Sequence, residues 1–298
     1  MSITKIVFAL LLTISLLYVA RKSSMRNIPP TTVEATYEDL KFSHSGDHIF
    51  KGDTTPAVFE VKVAGGLLPD GSELALYYEP RGASQGALPA NPQRIAGAAI
   101  PGEGLVYRFE IPNQGRGNEF EYYIQLEDAS SLVLASLPPN LPDQAADPLW
   151  FRFEGRRSVP LLVTHITGMF ASFLLMLLAF MAAVERLRSD QSRIRLGRLV
   201  LSATLALFLG GFALGFWINH QVYGAMWTGF PLGRDITDTK TLVIFFYWLF
   251  LLFLLRGSAL YHNPRGDSVG AGSARWLTIL GALLSIAAFL YPHSSGNY

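Results

Sequence analysis

The chain has 298 residues, 50% of them hydrophobic and 16% charged, with a formal net charge of +1 and no cysteine. The near-neutral balance, with no basic run interleaved with stacking aromatics, excludes a nucleic-acid-binding groove. The missing cysteines exclude thiolate metal sites, disulfides, redox thiols and covalent c-type haem attachment.

In chain order, the first predicted element is IVFALLLTISLLYVA, residues 6–20, preceded by Lys5. Its length fits the apolar region of a secretory signal, but Tyr18-Val19-Ala20 is a poor match to the small-residue cleavage rule. Residues 1–22 therefore read as a signal-anchor helix, with a cleaved signal peptide as the alternative.

Between residues 30 and 156 the hydrophobic period changes to two. EFEYYIQLE puts Phe120, Tyr122, Ile124 and Leu126 on one face and Glu119, Glu121, Tyr123, Gln125 and Glu127 on the other. GLVYRFEIP does the same with Leu105, Tyr107, Phe109 and Ile111, as do VFEVKV (Phe59, Val61, Val63) and SELALYY (Leu74, Leu76, Tyr78). Such alternation marks half-buried strands, and LPDGSE, PGEG, NQGRGNE and EDASS supply turns between them. About six or seven short strands predict an antiparallel β-sandwich. The stretch EYYIQLEDAS is similar to the late strand and turn of many bacterial sandwich domains, and the pattern resembles the immunoglobulin or fibronectin type III class. That resemblance covers this domain alone and implies binding or spacing rather than catalysis.

Four apolar segments follow, at roughly 159–184, 199–218, 241–255 and 276–291. A span needs about 20 apolar helical residues, so the last two rely on Lys240, Arg256, Trp276 and Tyr291 to reach the interface. The fold class expected is thus a membrane α-helical bundle, residues 159–298, joined to an all-β sandwich. The connection ERLRSDQSRIRLGR carries Arg186, Arg188, Arg193, Arg195 and Arg198, and residues 256–275 carry Arg256, Arg265 and Arg275. The positive-inside rule assigns both to the cytoplasm of a bacterial inner membrane. The sandwich, the 219–240 loop and the C-terminus then face outward, although Arg21, Lys22 and Arg26 run against that orientation.

Under this topology His165, His220 and His293 all fall near the outer membrane face. Met169 follows His165 by one helical turn, so both lie on one side, and Met226 sits in the loop. Imidazole and thioether together suit copper, and paired imidazoles suit the axial positions of haem b. The competing reading is a structural polar cluster. Quinone or lipid binding beneath the loop is a third. The HSGDH stretch offers His44, Asp47 and His48, a spacing that could hold zinc with a further ligand from elsewhere. The glycines of FLGGFALG lie inside a span, where small residues allow close helix packing.

The tract GAMWTGFPLGRDITDTK, residues 224–240, predicts a shaped loop rather than a tether. Tyr223 and Trp227 are interfacial anchors. Asp235 and Asp238 can cap the incoming helix, with Arg234 and Lys240 to neutralise them. With Pro292-His293-Ser294 near the end, the pattern W-T-G-x-P-x-G-x-D-x-T-D-x-K from Trp227 to Lys240 resembles an uncharacterised family of bacterial membrane proteins. That resemblance implies no activity. The expectation is a non-enzymatic membrane protein with lipids and a membrane or periplasmic protein as partners, serving as an accessory or assembly subunit of an envelope complex. The alternative is a haem b- or copper-binding protein.

Overall fold

The computed structural model describes residues 3–24, 30–81, 92–100, 105–139, 148–185, 187–233 and 235–291. It divides into two compact units, one of β-strands (residues 28–156 with 221–224) and one of helices (1–27, 157–220 and 225–298).

The β unit holds eleven strands among the described residues: β1 (Thr31–Tyr37), β2 (Leu40–Gly46), β3 (Ile49–Lys51), β4 (Ala57–Ala64), β5 (Glu73–Pro80), β6 (Gln93–Ala96), β7 (Ala98–Ala99), β8 (Leu105–Ile111), β9 (Glu119–Glu127), β10 (Val133–Leu137) and β11 (Leu149–Glu154). One sheet runs β1-β2-β4-β8-β7 and the other β3-β11-β9-β5-β6. β10 and β11 share one edge of β9: β10 pairs with its residues 124–127 and β11 with 119–122. All pairings are antiparallel except β3 with β11. The extra strands are mostly short, β3 and β7 having only three and two residues, too few to show a period of two.

The alternation read from the sequence sets the core. Phe59 and Val61 of one sheet and Tyr122, Ile124 and Phe151 of the other are all at most 2% exposed in a single cluster. The Phe59 ring lies 4.6 Å from that of Tyr122 and 5.1 Å from that of Phe151, so the two sheets pack face to face. The chain changes sheets at Gly97, between β6 and β7, where an added Cβ would come within 2.9 Å of the Phe109 ring. Outward-facing residues of β9 are covered as well: Tyr123 stacks on Tyr77 at 5.1 Å, and Arg94 bridges Glu73 and Glu127. Asp128 accepts from the Ser130 and Leu132 amides, fixing the turn between β9 and β10.

Residues 221–224 belong to this β unit. The Gly155 amide donates to the Val222 carbonyl at 2.9 Å, and the Arg152 guanidinium lies 5.5 Å over the Tyr223 ring.

The helical unit contains α1 (Ile3–Ser24), α2 (Val159–Val184), α3 (Asp190–Leu207), a π-helical segment (Phe208–Ala213), α4 (Leu214–Tyr223, except its last three residues), α5 (Ile236–Leu254), α6 (Arg256–Leu260) and α7 (Ala271–Leu290). Among the described residues, four helices are long and apolar enough to cross a membrane: 159–184, 190–223, 236–254 and 271–290. The two segments expected to be short gain length at their polar starts, through Thr237–Lys240 and Gly272–Arg275. α3 begins at Asp190, capped by Ser189, so Arg193, Arg195 and Arg198 lie on its first turns rather than in a loop. Arg193 is used internally: it donates to Asp267 at 2.6 Å and to the Val269 carbonyl at 2.8 Å.

α1 packs against α2 and α7 within this unit, burying Ala9, Thr13 and Leu17, and Lys5 pairs with Glu185 at the end of α2. The bundle core is built from helix faces with few polar atoms. Trp248 is fully buried and donates its Nε1–H to Ser285 at 2.9 Å, while Phe173 meets Phe289 at 4.6 Å.

Candidate functional site: the π segment and the braced loop

The glycine pair of FLGGFALG falls in the π-helical segment. Gly210 meets Gly168 of α2 backbone to backbone, so that a Cβ added to Gly168 would lie 2.8 Å from the Gly210 Cα. A π turn lengthens the hydrogen-bond register by one residue and exposes backbone groups to side-chain partners. Here the partner is His165, whose Nδ1 lies 2.6 Å from the Gly210 carbonyl oxygen. As the carbonyl can only accept, Nδ1 carries the proton and Nε2 is left as an acceptor. Met169, one turn along α2, brings its sulfur to the next glycine, Gly211, which also borders Thr241 of α5. His165 and Met169 thus face the same segment.

His220 is placed differently. The His165 ring approaches Gly215 of α4, and His220 lies five residues further, rotated about 140° around the helix. It is exposed beside Trp217, with ring centroids 6.3 Å apart. His293 lies outside the described residues, as does Arg234. Met226 is 57% exposed on the loop. Among the described residues, no group of three or more His, Asp or Glu side chains is gathered in a way that could hold a metal ion.

The zinc expectation for HSGDH fails on hydrogen bonding. His44 uses Nδ1 on the Glu60 carbonyl at 2.7 Å and Nε2 on the Tyr122 hydroxyl at 2.8 Å. His48 uses Nδ1 on the Trp150 carbonyl and Nε2 on Thr31, and stacks on the Trp150 ring. Both rings have both nitrogens engaged, so neither offers a lone pair for a metal.

The loop itself is tied by one carboxylate. Asp238, in the first turn of α5, accepts from the Asn219 side chain at 2.7 Å, the Thr228 amide at 2.9 Å and the Thr228 hydroxyl at 2.9 Å. It therefore turns back to clamp α4 and the loop rather than serving the first turn of its own helix. Asp235 is the N-cap of α5, accepting from the Thr237 amide at 2.7 Å. Lys240 donates to the Tyr291 carbonyl at 2.7 Å and lies over that ring.

Trp227 stacks nearly parallel on Phe212 of the π segment, at 5.7 Å, and meets Phe216 edge-on. Its Nε1–H donates to the Phe230 carbonyl at 3.0 Å. Gly224 has φ +71°, a left-handed turn that glycine adopts without steric cost, at the point where the chain leaves α4.

The chemistry of the loop was half visible in the sequence. Trp227, Asp235 and Asp238 stand out as anchors and caps. Asn219 and Thr228 give no signal, because short polar residues are common at helix ends. Neither the protein-family models nor the curated proteins compared with this chain match it.

Proposed function

We propose that this chain is a non-enzymatic integral protein of the bacterial inner membrane that engages a protein partner through its β domain and the 219–240 loop. In this reading α1 is an uncleaved signal-anchor, the β domain is an immunoglobulin-like sandwich on the extracytoplasmic side, and the chain serves as an accessory or assembly subunit of an envelope complex. Arginine placement supports the orientation. Arg188, Arg195 and Arg198 cluster near the α2–α3 turn, and Arg256 in α6, Arg265 in the connection after it and Arg275 near the start of α7 form a second cluster.

One observation carries the partner reading. The loop is held still by Asp235, Asp238 and Trp227, yet it presents Met226, Phe230 and Leu232 at 57%, 65% and 80% exposure. A rigid segment displaying three large apolar side chains is the anatomy of a docking surface. A photo-crosslinking residue placed at Phe230 or Leu232 in cells tests it. A protein adduct of defined mass supports the reading. Adducts to lipid alone would assign these side chains to the bilayer and end the partner proposal.

His165 favours a second reading. A ring whose Nδ1–H is fixed on a backbone carbonyl has the arrangement of metal-ligating histidines, whose outer partner orients the ring. With Met169 beside it, that is the start of a copper or haem b site. An absorption spectrum and metal analysis of the purified protein decide it. A colourless, metal-free sample removes the reading without touching the first.

A further inference from the structure

The π-containing helix from Asp190 to Tyr223 has 34 residues, about 51 Å at 1.5 Å per residue, against a hydrocarbon thickness of about 30 Å. Its excess lies at the start, where the sequence is polar. Along that start Gln191, Arg195, Arg198, Ser202, Leu205 and Leu209 recur at spacings of three and four residues, which sets them on one face. The face grades from amide to two guanidinium groups, then a hydroxyl, then leucines that are 51% and 58% exposed. A shallow depression of about 220 Å³ is lined by Gln191, Arg195, Arg198 and Ser202 with Ile194 and Leu199 at its sides.

Both arginines are exposed, and among the described residues neither meets a carboxylate. Arg198 is steadied instead by donating to His262 Nε2 at 3.0 Å, which leaves most of its N–H groups available. Arg193, by contrast, is spent on Asp267. Two adjacent guanidinium groups at the depth where a helix passes from polar to apolar match a phosphate at the membrane interface. The exposed leucines that continue the same face match acyl chain. From this gradation we infer that the depression on α3 is a binding site for one anionic phospholipid. Arg195 and Arg198 take its phosphodiester, Gln191 and Ser202 take its polar headgroup and glycerol oxygens, and Leu205 and Leu209 run beside its tails.

The inference rests on α3 crossing a membrane, not on the partner of the loop or on which side the arginines face. Full-length protein is exchanged into micelles of a neutral detergent with equal phosphatidylglycerol and phosphatidylcholine, washed, and its retained lipid measured by mass spectrometry. The wild-type protein retains phosphatidylglycerol over phosphatidylcholine by roughly fivefold. R195Q/R198Q brings the ratio close to one, while R265Q, at another arginine of the same unit, leaves it unchanged. An unaltered ratio in R195Q/R198Q overturns the site, and an equal loss in R265Q overturns it in favour of diffuse basicity. Millimolar inorganic phosphate leaves the lipid in place; displacement would assign the depression to free phosphate and overturn the lipid. Should the double variant fail to fold, photoactivatable phosphatidylglycerol on the wild-type chain gives an independent answer. Labelling within residues 191–209 supports the site, and labelling only elsewhere overturns it.

Discussion

The Nδ1 of His165 on α2 lies 2.6 Å from the carbonyl oxygen of Gly210, inside the π-helical segment that joins α3 to α4. This bond gives a side-chain donor to a backbone acceptor at an irregular turn, on a glycine that is itself buried. His165→Leu keeps bulk and removes the donor. The expected cost is about 1–3 kcal/mol, the range for leaving a buried acceptor unsatisfied. Thermal unfolding of the detergent-purified variant measures it, and an unchanged midpoint would show that the carbonyl has another donor.

Gly168 and Gly210 bring two backbones into contact, so neither position has room for a side chain. Gly168→Ala is expected to destabilise the helical unit by about 1–3 kcal/mol through overpacking, and Gly168→Leu by more. If both variants unfold at the wild-type temperature, the helices do not approach this closely.

Asp238 accepts three hydrogen bonds that join α4, α5 and the loop. In Asp238→Ala the Thr228 amide loses its acceptor. Its hydrogen exchange is expected to speed up by roughly tenfold or more, since bonds to a charged group contribute about 1.5–3 kcal/mol. Exchange mass spectrometry over residues 226–240 reads this directly. Protection equal to wild type would mean that the stacking of Trp227 alone orders the loop.

Burial holds the imidazole of His44 below its ordinary pKa, against a smaller raising effect from the hydrogen bond to the Glu60 carbonyl. The folded state therefore binds fewer protons here than the unfolded state. Stability from this group is complete above the unfolded value of about 6.5 and is lost as pH falls through it toward the folded pKa. Urea unfolding of the full chain, followed by exchange in β4, is expected to show that decline between about pH 7 and pH 5, and His44→Gln to flatten it. Equal slopes in the two proteins would remove His44 as the cause.

The β unit was legible where strands are long enough to alternate. Phe120, Tyr122, Ile124 and Leu126 declare a buried face because one residue in two must point inward. The two-residue β7 has no such statement to make, and its place in the sheet comes from the chain crossing at Gly97. The apolar helices were equally plain, but their starts were less so: Asp235 reads as a cap from the sequence, yet the polar first turn through Thr237 and Asp238 looks like loop. The candidate site was less legible for a related reason. Tryptophan and aspartate attract notice by type, whereas the bond from His165 to a glycine carbonyl depends on a backbone irregularity that residue types do not encode. The zinc option at His44 and His48 turned on the same cause: their spacing suits a metal given a further ligand, and only the folded sheets reveal the tyrosine, threonine and carbonyls that occupy them.

A six-residue π turn winds the chain between α3 and α4 one position out of step with an ordinary helix. Were the same residues wound as ordinary α-helix, everything after them would swing by about 100° around the axis. Asn219 would leave Asp238, and His220 would take up a new bearing. The wide turn thus acts as an angular setting, and a regular helix of the same number of residues would present the loop in another orientation.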